Sequence, residues 1–310
     1  MTSTQVFRKT MPFVLAKLAL GGAIVAIATI LWAFFVGIGW LFGADGMIIA
    51  YLMWGGCIGG IRFVFMHYFG YLVKAGHIAV IVEMFKTGQV PEAQIEYGKN
   101  IVKERFLTSN VYFALDRLVA SAVKQIQRVV DKAGKALDFI PGINTLTGIT
   151  KFFIDISLGY IDECCLAWTF YNKEQSAYES AADGVVIYAQ NGKVLLKNAA
   201  VAMIKALGVM AVLVLFIFIP LGLMFKLLKW SGFVAFVLSC MIAWIVKFAI
   251  VDSYLMIEMM STYMQVAPTT VITFDLYEKL CKISTSFKEM FHKGKKEEKP
   301  IEKETYLDVI

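Results

Sequence analysis

Five ionisable residues lie within or beside the apolar segments of this sequence: Arg62, Lys247, Asp252, Lys151 and Asp155. A charged group at membrane depth is costly, and such residues commonly mark a substrate or ion pathway. Lys247 and Asp252 are five residues apart, an imperfect spacing for a pair on one helix. Lys151 and Asp155 stand at positions i and i+4, where two side chains of a helix meet directly. We therefore treat these five residues as candidates for a substrate pathway.

Arg62 and Lys247 have a second interpretation, in which they anchor the ends of membrane helices. Arg62 lies 15 residues after Met47, and Lys247 lies 17 residues after Trp230. At a helical rise of about 1.5 Å per residue, these separations are about 22 and 25 Å, close to the inner boundary of a bilayer. A long basic side chain at that depth can extend to water. Asp252 could similarly do no more than cap or anchor its helix at the interface.

The sequence offers no constellation for catalysis or for metal binding. It has 5 cysteines without a CxxC pair, and its 3 histidines do not complete a metal-ligand pattern. No P-loop, dinucleotide fingerprint, catalytic triad or HExxH motif is present. We therefore predict a protein that is not an enzyme and that carries neither a cofactor nor a metal.

Long apolar runs must position the candidate residues. Residues 18–42 contain no charged side chain, and residues 206–225 form a second such run. Each is about as long as the roughly 20 residues that a helix needs to cross a bilayer. Of the 310 residues, 58% are hydrophobic, a share that soluble domains seldom reach. We predict an all-α polytopic membrane protein with four transmembrane helices in two hairpins, at about 14–42, 47–73, 199–225 and 230–251.

Basic residues near the ends of the predicted spans indicate the orientation of the chain. They cluster at 1–17, 74–135 and 278–303, whereas the turn predicted at 43–46 has none. By the positive-inside rule, both termini and the centre face the cytoplasm or an equivalent matrix. Because these flanks account for much of the net charge of +6, we expect membrane lipids as partners and no nucleic acid.

The stretch between the two membrane hairpins is predicted to form a central amphipathic hairpin. Apolar residues recur at helical spacing from Asn110 to about residue 138, and a second helix is predicted at about 148–172. This hairpin is expected to lie on the membrane surface or to be buried in protein. The sequence thus divides into a first membrane hairpin with an amphipathic extension at 1–105, the central hairpin at 106–195, a second membrane hairpin at 196–277, and a charged, disordered tail at 278–310.

Three segments share an order of residues. They read Arg62-Phe63-Val64-Phe65 before Tyr71, Lys151-Phe152-Phe153-Ile154 before Tyr160, and Lys247-Phe248-Ala249-Ile250 before Tyr254. Farther along the chain, Gly98 and Gly184 occupy matching places after the first two segments. The order predicts three tandem helical hairpins. Chance similarity between apolar helices is the alternative.

Small residues indicate a packing face on the second span. Two overlapping GxxxG patterns are formed by Gly55, Gly56, Gly59 and Gly60. Such a face lets helices approach closely, and we expect it to pack against the first span or a partner chain.

Pro220 lacks a backbone donor and is expected to kink or break the third span.

Three short stretches carry a resemblance to a known family. They are Val123-Lys124-Gln125-Ile126-Gln127-Arg128-Val129-Val130, Lys151-Phe152-Phe153-Ile154 and Ile250-Val251-Asp252-Ser253-Tyr254-Leu255. In this order they resemble the C-terminal membrane core of choline transporter-like proteins, in which an apolar helix ends in a similar Val-Asp-Ser/Thr step. The resemblance implies a pathway for choline or a related cation.

Two functions are open from the sequence. The first is transport of a small, choline-like cation. Four to six helices can hardly enclose a pathway alone, so a transporter would form a homo-oligomer or join a larger membrane complex. The second is a non-transporting structural or accessory subunit of a larger membrane assembly.

Overall fold

The regular structure of the chain is helical. The computed structural model describes residues 1–106, 109–133, 160–227 and 232–297. These residues contain no β-strand, which confirms the all-α prediction. The chain divides into two compact units: Met1–Val102 with Ala200–Glu258, and Lys103–Ala199 with Met259–Ile310.

The helices follow one another in short steps, and two of the joins are π-helical turns. The α-helices are α1 (Ser3–Lys9), α2 (Met11–Trp40), α3 (Gly43–Val64), α4 (Tyr71–Thr87), α5 (Gln94–Phe106), α6 (Ser109–Ala133), α7 (Ile161–Tyr171), α8 (Ala177–Gln190), α9 (Gly192–Leu227), α10 (Gly232–Val246), α11 (Asp252–Val266), α12 (Phe274–Ile283) and α13 (Thr285–Glu297). The first π-turn, Phe65–Gly70, joins α3 to α4, and the second, Lys247–Val251, joins α10 to α11. A short 3-10 helix, Ala267–Thr269, follows α11.

Within the described ranges, three helices, α2, α3 and α9, are long and apolar enough to cross a membrane. They correspond to three of the four predicted spans and fit an integral membrane protein. The fourth predicted span coincides with α10, which has 15 residues and continues through the second π-turn into α11. Because α10 alone is shorter than the roughly 20 residues of a full span, the fourth crossing stays a prediction.

The reversal between α2 and α3 lies two residues earlier than the sequence predicts. Gly43-Ala44-Asp45-Gly46 begins α3 rather than forming the turn, and Leu41 and Phe42 connect the helices. Gly43 begins the new helix at φ +70°, in the left-handed region that glycine adopts readily. A Cβ atom on Gly46 would lie 2.7 Å from the carbonyl oxygen of Gly39. The two helices therefore meet backbone to backbone at this hairpin.

Pro220 lies inside α9, which continues through it from Gly192 to Leu227. The proline therefore does not break this helix, although its ring removes one backbone donor.

The second unit has a conventional buried core. The apolar side of α6, with Leu115, Val119 and Ile126, is buried, and α6 packs against α7, α8, α12 and α13. The apolar side of α6 is thus covered by other helices, while the position of the central hairpin relative to the membrane stays a prediction. The predicted partner helix of α6 is represented by α7, while residues 134–159 lie outside the described part of the chain.

Polar side chains tie the loops of the second unit to its helices. Arg105 donates from Nε to the carbonyl of Thr169 at 2.8 Å, and from Nη2 to the carbonyls of Asn172 and Gln175 and to Ser180 Oγ. Two of these carbonyls stand at the C-terminal end of α7, where the last carbonyls of a helix lack partners inside it. The guanidinium thus holds the α7–α8 connection in place.

Candidate functional site

The second π-turn brings an acid and a base together. Lys247 Nζ lies 2.7 Å from Asp252 Oδ1 and 2.9 Å from Oδ2. In a π-helical turn the backbone bond spans five residues, so residues five apart share one side of the helix. The spacing that is imperfect on an α-helix is therefore well suited to the turn that forms here. Both side chains remain partly exposed.

The beginning of α2 packs against this turn. Lys17 is only 6% exposed and donates from Nζ to Ser253 Oγ at 2.9 Å. Farther along α2, a Cβ atom on Gly21 would lie 2.9 Å from Cγ2 of Ile245, so the missing side chain brings α2 close to α10. The buried ammonium of Lys17 therefore reaches the residue that follows Asp252.

An aromatic ring of α10, that of Trp244, contacts the cationic side chain of Arg62. The guanidinium carbon of Arg62 lies 4.9 Å from the ring centre of Trp244, within the range of a cation–π interaction. Trp244 also stacks on Phe248, with ring centres 6.4 Å apart and planes 18° from parallel. Phe248 follows Lys247 in the second π-turn, so the ring and the ion pair occupy neighbouring positions along this helix. We name Lys17, Arg62, Trp244, Lys247, Asp252 and Ser253 the π-turn cluster.

A second buried polar group lies where α1 and α2 meet α4. The ring of His77 is fully buried and stacks on Phe13, with centres 4.9 Å apart and planes 6° from parallel. Its Nε2 atom lies 2.9 Å from Thr10 Oγ1. Because Thr10 uses its own hydrogen to bond the carbonyl of Val6 at 3.0 Å, Nε2 must be the donor in this contact. His77 Nδ1 is then an unprotonated nitrogen, buried and without a hydrogen-bond partner.

The surroundings of His77 favour its neutral form. Burial is the larger cause that holds its pKa well below the usual value, and the positive charge of Lys17 acts in the same direction. His77 and the π-turn cluster are thus linked electrostatically through α2.

The structure does not add the remaining predicted site residues to this cluster. Lys151 and Asp155 lie outside the described residues. At Gly55, Gly56, Gly59 and Gly60, an added Cβ atom would meet no other atom within 4 Å. This glycine face of α3 therefore makes no close packing contact of the kind made by Gly39 and Gly46, and it is open to lipid or to another chain.

Four residues of these two sites were not among the sequence candidates: Lys17, Trp244 and Ser253 of the π-turn cluster, and His77. Lys17 was counted only as a basic flank of the first span, and His77 only as a poor metal ligand. A signal was present, because Thr10, Phe13 and Lys17 follow one another at helical spacings of three and four residues. Their common face would have indicated that Lys17 points away from lipid. The partners Ser253 and His77 are distant in sequence and could not be found in this way.

Comparison with known proteins adds no relative. Searches against known protein families, curated proteins and solved structures found no match. Within the described ranges, no three His, Cys, Asp or Glu side chains come together as a possible metal site. Evidence for a function therefore comes from the geometry of this chain and from the resemblance seen in its sequence.

The second unit also contains buried ionisable groups, which do not resemble a functional site. Burial raises the pKa of the Cys164 and Cys165 thiols, and the neighbouring acidic residues raise both further. A protonated thiol is a poor nucleophile. Tyr277 donates to the carboxylate of Asp183, and burial together with that carboxylate raises the pKa of the tyrosine. These side chains fit roles in packing.

Proposed function

We propose that this chain is an integral membrane protein that moves a small organic cation across its membrane, with choline-like quaternary ammonium ions as the substrate class. The observation that carries the proposal is the ring of Trp244, which already holds the guanidinium of Arg62. A ring face that attracts a guanidinium attracts a quaternary ammonium through the same quadrupole. The resemblance to choline transporter-like proteins supports the same ligand class.

Asp252 is the proposed counter-charge for the substrate. Among the described side chains of the π-turn cluster, Lys17, Arg62 and Lys247 are basic and Asp252 is acidic. A further cation added to this set would be repelled. The substrate would therefore enter by exchange, displacing Arg62 from the ring of Trp244 and Lys247 from the carboxylate of Asp252. Single π-helical turns within α-helices are frequently found at functional sites.

The proposed transporter is an oligomer or part of a larger membrane complex. The spanning helices expose large apolar side chains over much of their length, including Leu52, Phe216 and Leu223. These side chains suit contact with lipid or with a neighbouring chain. The open glycine face of α3 is the proposed contact with that neighbour.

The proposed architecture has a fourth crossing at 230–251, three tandem hairpins, and both termini on the positive-inside face. Two features support the repeat. A π-turn precedes the tyrosine in both segments: Phe65–Gly70 lies after Arg62, and Lys247–Val251 begins at the basic residue itself. In addition, Gly98 closely approaches Gly76, and Gly184 closely approaches Cys165. Cysteine labelling tests the topology: a tail labelled from the same side as residue 45 would contradict it.

The alternative function is that of a non-transporting accessory subunit. The observation in its favour is that each basic side chain of the cluster already has a partner within the cluster. Lys247 contacts Asp252, Lys17 contacts Ser253, and Arg62 contacts Trp244. In that case these contacts brace the helices and bind no solute.

Uptake of labelled choline by proteoliposomes separates the two functions. The full chain, Trp244→Leu and Asp252→Asn are compared with Trp32→Leu, because Trp32 and Trp244 are equally exposed at 42%. We expect uptake by the wild type and by Trp32→Leu, and a loss in the other two variants. Absence of uptake by the wild type would favour the accessory subunit. Equal uptake by Asp252→Asn would keep transport and remove Asp252 from the mechanism.

A further inference from the structure

Between residues 117 and 128, one side of α6 carries three basic side chains. Among the side chains that the structure describes between residues 111 and 129, the exposed ones are Arg117, Lys124 and Arg128. Their spacings of seven and four residues place them within an arc of about 40°. The ridge is about 17 Å long, from the helical rise over eleven residues. We name these three residues the α6 ridge.

Other amphipathic helices of the second unit carry mixed charges instead. On α12, Lys282 lies 3.4 Å from Glu278, and on α13, Lys293 lies 2.8 Å from Glu289. Such i, i+4 pairs neutralise an exposed face and are typical of a surface in contact with water. On α6, by contrast, Asp116 lies on the buried side. The basic charge of the ridge is therefore not a general property of the unit's surface.

The ridge is held in a fixed direction. On the inner sides of α6, Gln125 Oε1 accepts from Ser284 Oγ at 2.8 Å, and Gln125 Nε2 donates to Ser286 Oγ at 3.0 Å. Ser121 Oγ and Ser286 Oγ lie 2.8 Å apart. Together with the buried apolar side, these bonds prevent α6 from rotating about its axis. The three basic groups therefore remain presented outward.

We propose that the α6 ridge binds the headgroups of anionic phospholipids in the membrane that holds this chain. Charge complementarity selects the ligand, because three fixed cations in a row match a surface of phosphate groups. The described part of the chain carries apolar helices that fit a bilayer, so membrane lipids are the phosphate-bearing ligands at high local concentration. The ridge is predicted from charge and geometry alone, and it does not depend on which solute the protein moves.

The expected size of the effect follows from the usual gain for a basic residue near an anionic membrane surface. Each of the three side chains should change the affinity by about fivefold, and the three together by about 100-fold. The effect should weaken as salt is added, because the charges are exposed and are screened by counterions.

Native mass spectrometry of the full chain in neutral detergent tests the proposal. The probes are dioleoyl phosphatidylglycerol and, as the zwitterionic counterpart, dioleoyl phosphatidylcholine, each titrated in turn. The ridge variant is Arg117→Gln/Lys124→Gln/Arg128→Gln. The matched control is Lys279→Gln/Lys282→Gln/Lys288→Gln, which removes three exposed positive charges from α12 and α13.

We expect the wild type and the control to prefer phosphatidylglycerol, and the ridge variant to lose that preference. Equal binding of phosphatidylglycerol by the ridge variant and the wild type would overturn the proposal. A wild type that binds the two lipids equally would also overturn the proposal, and an acidic protein would then be the next ligand to test. If the triple variant fails to fold, the three single variants decide, because each should weaken binding by about fivefold and unchanged affinity in all three contradicts the ridge.

Discussion

In the second unit, the guanidinium of Arg105 reaches three backbone carbonyls and a hydroxyl, whereas in the first unit the buried ammonium of Lys17 reaches the hydroxyl of Ser253. Many large apolar side chains described in the second unit are buried, among them Phe106, Ile187 and Phe287. The first unit leaves Leu52 and Phe216 on the outside. Polar groups inside the second unit are therefore ordinary braces, while those inside the first are costly and more informative about function.

The largest expected effect is the loss of the Arg105 brace. Arg105→Ala removes the donor from three carbonyls, which stay partly buried, and should destabilise the second unit by about 3 kcal/mol. Lys103→Ala, at an exposed neighbouring position, should cost less than about 0.5 kcal/mol. Hydrogen exchange of the α8 amides measures both changes. Similar protection in the two variants would show that the brace contributes little.

A glycine contact in the first unit should have the next largest effect. Gly46→Leu places a side chain where the carbonyl of Gly39 already lies, at 2.7 Å from the new Cβ atom. Backbone cannot move aside easily, so we expect a loss of about 2–3 kcal/mol from overpacking. Thermal unfolding in detergent measures it, and an unchanged midpoint would contradict the close contact of α2 with α3.

The open glycine face provides the control for that experiment. Gly56→Leu meets no atom of the chain, so the stability of the monomer should not fall. If the face binds a partner chain, Gly56→Leu or Gly59→Leu should disturb assembly more than Leu41→Ala does. Size-exclusion chromatography with light scattering gives the oligomeric state. An unchanged oligomeric state would indicate that the glycine face contacts lipid and not a partner chain.

The pH dependence of the first unit should show the neutral state of His77. Its pKa is depressed in the folded chain, mainly by burial, while the unfolded chain keeps the ordinary value near 6.5. The unfolded state therefore binds more protons below that pH. Stability should be full above about pH 6.5 and fall, by at most about 1.4 kcal/mol per pH unit, as pH decreases toward the folded pKa.

His77→Gln provides the comparison for that pH profile. Glutamine can still donate to Thr10 but does not titrate, so the slope should disappear from the unfolding midpoints measured between pH 5 and 8. A wild-type profile as flat as that of the variant would count against a buried neutral histidine.

The substitution Asp252→Asn should have only a small effect on stability. The carboxylate and Lys247 are each about one-third or more exposed, so solvent screens the pair and its loss should cost less than about 1 kcal/mol. Uptake should nevertheless fall, because the counter-charge for the substrate is gone. A large loss of stability with intact residual uptake would make this pair a brace like Arg105.

The sequence indicated the long apolar helices, but neither the contacts between helices nor α13, which lies within the segment predicted as a disordered tail. Apolar length predicted α2, α3 and α9, since crossing a bilayer requires a fixed number of residues. The short distance between Lys247 and Asp252 depends on a π-turn, which no residue pattern predicted. The contact between Lys17 and Ser253 joins residues 236 positions apart. Such pairing is decided by tertiary packing, which a single sequence does not record.

Amphipathic periodicity had a similar limit. The spacing of apolar residues in 110–133 indicated one buried side of a helix, and α6 has that side. The same pattern fits a membrane surface and a protein core equally well, because both offer an apolar environment. The contacts of α6 with α7, α8, α12 and α13 cover that side with protein, and no periodicity predicts which helices do so.

Equilibrium binding of labelled choline to the purified full chain tests the proposed cation site directly. We expect saturable binding that is unchanged in Trp32→Leu. Binding should weaken about tenfold in Trp244→Leu, as expected for the loss of a cation–π contact of about 1–2 kcal/mol. Absence of saturable binding, or equal binding by Trp244→Leu and the wild type, would contradict the proposed cation site.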